Sequence, residues 1–84
     1  MHAHNVDKFF LDLYFECGAE KWKVFQNKVK DKAAYEDSHK LIDLQTFENL
    51  VEEYLDKKLS DDDRSLLFNT SGRINNGVKQ INIS

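Results

Sequence analysis

Proline is absent from the chain and glycine occurs only three times. That scarcity argues against a loop-rich or disordered polypeptide. A single cysteine, Cys17, excludes a disulfide framework and a cysteine-based zinc site. No apolar run approaches the ~18 residues that a membrane span needs. The N-terminus carries no apolar signal region with a cleavage site. With 84 residues, the chain has room for one small domain whose core is marginal, so every apolar face matters. Residues 1–5 are expected to fray and residues 6–84 to form that domain. His2 and His4 fall on the loose end and are read as inert.

The net charge of −3 hides a split. Between Ala19 and Ala34 five lysines face Glu20 and Asp31, a local +3. Between Tyr35 and Asp63 ten acids face three lysines, a local −7. A surface polarised in this way is a plausible docking feature as well as an ordinary solvated one.

Helical periodicity is clear. Val6, Phe9, Phe10, Leu13, Tyr14 and Cys17 follow one face of a helix over Val6–Cys17, capped by Asn5 and stopped by Gly18. Cys17 on this stripe reads as a small buried hydrophobe. A second helix is expected over Ala19–Ala33, with Trp22, Phe25, Val29 and Ala33 inward and lysines over much of the rest. Lysines beside Trp22 raise nucleic acid, but no binding motif accompanies them and the aromatics belong to the core stripe. A polar break at Glu36–Lys40 precedes a short extended piece, Leu41-Ile42-Asp43. A third helix is expected over Leu44–Lys57, with Leu44, Phe47, Leu50, Val51, Tyr54 and Leu55 on its apolar face. Ser60 with Asp63 predicts a capping box opening a fourth helix, which fades near Ser71-Gly72. Asn75-Asn76-Gly77 is a turn signal, and Ile81 with Ile83 reads as a short strand. The fold class is mainly α: four helices with a short two-stranded β element.

From about Phe25 to Ser84 these residues resemble the EF-hand family. With Ile42 at the eighth position of a twelve-residue loop, Thr46 falls at the twelfth and Phe47 opens the exit helix, with Leu50-Val51 where the family carries an apolar pair. Asn75-Asn76-Gly77 and Ile81-Asn82-Ile83-Ser84 look like a second loop and its strand. The family's calcium takes six to eight oxygens and a bidentate carboxylate at the twelfth position. Here the first, third, fifth and sixth positions are Tyr35, Asp37, His39 and Lys40, with Asp43 at the ninth. The frame Asp37–Glu48 restores both end carboxylates but puts Leu41 and Ile42 at the fifth and sixth positions, and is rejected. With Ile81 at the eighth position, the second loop has Ile74, Asn76, Val78 and Lys79 at its first, third, fifth and sixth positions. The approach from Phe68 is also longer than the family's. Neither loop is expected to hold calcium or magnesium, so no cofactor is expected. The given sequence stops at Ser84, where a second exit helix would begin, so the first helix or a partner is expected to cover the apolar surface.

The resemblance implies a non-catalytic, calcium-independent module that grips an amphipathic helix of a larger protein by helix-in-groove docking. The groove residues expected are Phe47, Leu50, Val51, Tyr54, Leu67 and Phe68, with Trp22 and Phe25 at its base. The same resemblance implies a cytoplasmic scaffold role in cytoskeletal, ciliary or centriolar assemblies; from the residues themselves, neither nucleic acid nor membrane is expected as partner. Two alternatives stay open: a calcium sensor with irregular loops, and a winged-helix protein-interaction domain. For the latter the order is helix, short strand, helix, helix and hairpin (Arg73–Ile83), and Asp61, Asp62 and Asp63 would repel DNA phosphates. His39 beside Ser38, near Asp37 and Asp43, forms no recognisable catalytic constellation, and no Gly-rich phosphate loop or HExxH motif occurs, so no enzyme activity is expected. Addition of millimolar calcium is expected to leave the amide proton–nitrogen NMR spectrum unchanged. Shifts focused on Tyr35–Thr46 or Ile74–Ser84 identify a sensor instead.

Overall fold

The computed structural model describes residues 3–83, with side chains from residue 7 onward. Its elements run α1 (Ala3–Cys17), α2 (Ala19–Lys32), β1 (Ala34–Glu36), β2 (His39–Asp43), α3 (Leu44–Leu55), α4 (Asp61–Ser71), β3 (Gly72–Asn75) and β4 (Val78–Asn82). Helix α1 starts inside the segment expected to fray; Met1 and His2 lie outside the described residues. The Val6, His2 and His4 side chains also fall outside them.

Gly18 alone separates the first two helices. Its φ of +91° is costly for any residue with a Cβ, and its N–H still reaches the Tyr14 carbonyl at 2.9 Å. The chain therefore turns without a loop, and α1 packs against both α2 and α4. Leu13 thereby enters the common core at 2% exposure. Helix α1 thus covers part of the apolar surface of the other helices.

Two hairpins build the sheet. Between β1 and β2 the turn is Asp37-Ser38, at φ 48° and 70°. Between β3 and β4 it is Asn76-Gly77, at φ 52° and 80°. Positive φ at both central residues matches the right-handed twist of the flanking strands. Strand β2 then pairs antiparallel with β4, giving the order β1-β2-β4-β3. The β element is thus four-stranded rather than two-stranded. The extra strands are the short edges Ala34–Glu36 and Gly72–Asn75, which carry little apolar alternation of their own.

Ile42 stands directly opposite Ile81, and both side chains are at most 1% exposed. Side chains alternate along each strand, so Lys40, Ile42, Lys79, Ile81 and Ile83 share the helix-facing side. On the other side Arg73 of β3 bonds Glu36 of β1 at 3.0 Å. His39 Nδ1 and Asn82 Nδ2 are also 3.0 Å apart. Leu41 is on this side too and is buried, yet stands apart from the main core cluster.

Helix α3 supplies more of the core than any other element, through Leu44, Phe47, Leu50, Val51 and Leu55. It ends at Leu55, short of the expected Lys57, because Asp56 takes a left-handed conformation at φ 53°. Leu59 tucks into the core before Ser60 caps α4. The Ser60 hydroxyl accepts from the Asp63 N–H at 3.1 Å, and the Ser60 N–H donates to Asp63 Oδ2 at 3.2 Å. No helix of the described residues is long and apolar enough to cross a membrane. Leu67 of α4 is fully buried. Leu67→Ala is expected to cost about 2–5 kcal/mol, read as a lowered urea midpoint with an unchanged slope.

Candidate aromatic cleft

The aromatic residues of three helices meet as a chain of rings. Phe9 and Phe10 of α1 lie 5.8 Å apart, and Phe10 lies 6.3 Å from Trp22 of α2. Trp22 lies 5.3 Å from Phe25, and Phe25 lies 5.7 Å from Phe47 of α3. Phe10 closes the circuit at 6.0 Å from Phe47. The interplanar angles run from 38° to 71°, tilted and edge-on arrangements that aromatic quadrupoles favour.

This cluster is closed from within and open from outside. Phe25, Val29 and Phe47 are buried and form the floor of a cleft of about 160 Å³. Phe10, Trp22 and Ile83 form its half-buried walls. Gln26 and Lys30 of α2 and Lys40 of β2 form the rim. The placement follows from local structure. On α2, Trp22, Phe25, Gln26 and Val29 recur at helical spacing and share one face. On the sheet, alternation sets Lys40 and Ile83 on the side that faces that helix. The Ile83 N–H bonds the Lys40 carbonyl at 2.8 Å, which fixes the two residues beside each other.

The eight residues expected to line a groove are not all together. Trp22, Phe25 and Phe47 meet in this cleft. Leu50, Val51 and Leu67 are buried in the general core, at 7%, 0% and 0% exposure. Tyr54 is half-buried with the Lys28 ammonium 5.9 Å from its ring centre. Phe68 lies on a different, more polar depression that includes Leu44, Arg64, Val78 and Lys79, with Lys79 5.3 Å from its ring centre. The cleft adds Phe10, Gln26, Val29, Lys30, Lys40 and Ile83. Phe10 and Val29 are already marked by their helical stripes. Ile83 is marked by the two-residue spacing from Ile81. Lys40 carries no such signal, because its position depends on a hairpin that the sequence does not announce.

Three of the charged groups around the polar depression, Arg64, Glu48 and Asp61, are joined in ion pairs. Arg64 sits 3.5 Å from the buried carboxylate of Glu48 and also bonds Asp61. The hydrogen bond to Asp61 and the charges of Glu48 and Asp61 raise the Arg64 pKa above its ordinary value, so the guanidinium stays charged. Among the described residues no group of three or more His, Cys, Asp or Glu side chains is arranged to hold a metal ion.

Trp22 is the sole tryptophan, so its emission reports on this cleft alone. Phe10→Ala is expected to shift that emission to longer wavelength while near-native helical circular dichroism persists, at a stability cost of about 1–3 kcal/mol. An unchanged spectrum would show that Phe10 does not shield the indole. Comparison with protein-family models, curated proteins and solved structures finds no match for this chain.

Proposed function

We propose that this domain is a non-catalytic, calcium-independent protein-interaction module that takes an amphipathic helix of a larger protein into the aromatic cleft. The observation that carries the reading is the cleft itself: buried Phe25 and Phe47 under half-exposed Phe10, Trp22 and Ile83. A helical segment presents apolar anchors at i, i+3/i+4 and i+7, and such anchors dock where aromatic walls are already held apart. Burial of aromatic surface at the centre of an interface supplies most of the affinity.

Two features support an EF-hand-like origin for the module. Helix, hairpin and helix follow one another through α2, β1, β2 and α3, and Ile42 of the first hairpin stands opposite Ile81 of the second. Residues 35–46 hold their backbone in that hairpin and in the first turn of α3, which supports a calcium-independent role. The β3–β4 hairpin lying against β2 supports the winged-helix alternative. The acidic first turn of α4, with Asp61, Asp62 and Asp63, then also favours a protein partner over DNA. A cytoplasmic place in a cytoskeletal or ciliary assembly belongs to the same proposal and rests on the resemblance alone.

The test is titration with a designed amphipathic helical peptide carrying leucines at i, i+3 and i+7. Trp22 emission is expected to shift to shorter wavelength, with the largest amide shifts at Phe10, Gln26 and Ile83. Trp22→Ala is expected to weaken binding at least tenfold while the fold persists. Amide shifts centred on the Phe68 depression, or none at all, would overturn the reading.

A further inference from the structure

The two lysines at the cleft set a requirement on whatever enters it. Lys30 comes from α2 and Lys40 from β2, so two separate elements each bring a lysine to one opening. Lys23 lies two turns before Lys30 on the same side of α2 and extends the positive edge. Among the described residues, none of these three lysines forms an ion pair. Lys40 lies 6.0 Å from the Tyr35 ring centre, a contact that leaves its charge unneutralised. The acids that do pair are engaged elsewhere: Glu16 with Lys57, Glu36 with Arg73, and Glu48 and Asp61 with Arg64.

Size narrows the occupant. At about 160 Å³ the cleft falls below the ~300–1,000 Å³ that typical small-molecule sites occupy. It suits one or two large side chains projecting from a segment that lies across the opening. Once seated, that segment runs past Lys30 and Lys40. A basic segment would place like charges together at a partly desolvated rim, which is unfavourable. An acidic segment would gain charge-assisted hydrogen bonds there.

We infer that the partner segment is an acidic amphipathic helix: an apolar anchor for the Phe10, Trp22 and Phe47 cleft, flanked by Asp or Glu that meet Lys30 and Lys40. This rests on the cleft being the docking site, as proposed above, and adds the sign of the partner's charge. The acidic stretch of this same chain, on α3 and the start of α4, is then the surface that turns such a segment away. The charge split thus steers and orients the partner as it approaches.

The experiment uses three helical peptides with identical leucine anchors and acidic, neutral or basic flanks. Each is titrated against the full chain and against the Lys30→Glu/Lys40→Glu double variant, followed by Trp22 fluorescence. For the natural chain the acidic peptide is expected to bind about tenfold tighter than the neutral one, and the basic one weakest. The double variant is expected to reverse that order, and added salt to compress it. Circular dichroism of the double variant checks that the fold is kept; if it is lost, Lys30→Gln/Lys40→Gln is used, with the acidic preference expected to vanish. Equal binding of all three peptides overturns the charge inference and leaves the cleft reading standing. Binding by none of them, or an order unchanged in the variants, overturns the inference; the first of these also removes the reading beneath it.

Discussion

The pairing of Ile42 with Ile81 is the constraint on which the rest of the structure depends. The first comes from the hairpin between α2 and α3, the second from the hairpin after α4. Without that rung the chain consists of two helix-and-hairpin halves, each with an uncovered apolar side. With it, two small hairpins become one sheet, and α2, α3 and α4 are brought to the same side of it. Neither hairpin would persist alone, since an isolated two-stranded ribbon is marginal in water. The long-range contact and the local ones therefore stabilise each other, as expected in a domain with so small a core.

The cleft is a by-product of how that core is closed. Phe10 of α1 packs against Phe47, but α1 joins α2 through the single residue Gly18, so its path is fixed at that end. It lays Phe10 and Leu13 against the bundle and leaves a gap between Phe10, Trp22 and Ile83. Packing along the helices and pairing along the sheet meet at this gap without filling it. Lys40 reaches the gap because strand alternation points it to the helix side, and Lys30 because it follows Val29 around α2. Chemistry that looks scattered in sequence is thus gathered by two simple periodicities.

The helices were legible because each carries a long apolar stripe and a clear stop. Gly18 ends α1, and Ser60 with Asp63 opens α4 as the spacing requires. The hairpin at Asn76-Gly77 was legible for a similar reason, since that dipeptide favours positive φ at both positions. Its counterpart at Asp37-Ser38 was not. Aspartate tolerates a left-handed backbone and serine does so less readily, so the segment has the signature of a polar break and β1 leaves no strand signal. The groove was legible only in part. A stripe shows which residues leave water, not which neighbour covers them. Leu50, Val51 and Leu67 carry the same apolar signal as groove residues although other helices bury them, whereas Phe10 and Ile83 carry the signal of core and strand although they wall the cleft.

The brevity of the outer strands bears on how these molecules behave together. The sheet ends on Ala34–Glu36 at one side and Gly72–Asn75 at the other. Each offers only a few open backbone donors and acceptors, so an approaching strand gains little by adding itself there. Tyr35 and Ile74 are nonetheless exposed on these margins and would otherwise invite stacking. Truncated margins thus oppose growth of the sheet from one molecule to the next despite these exposed apolar side chains.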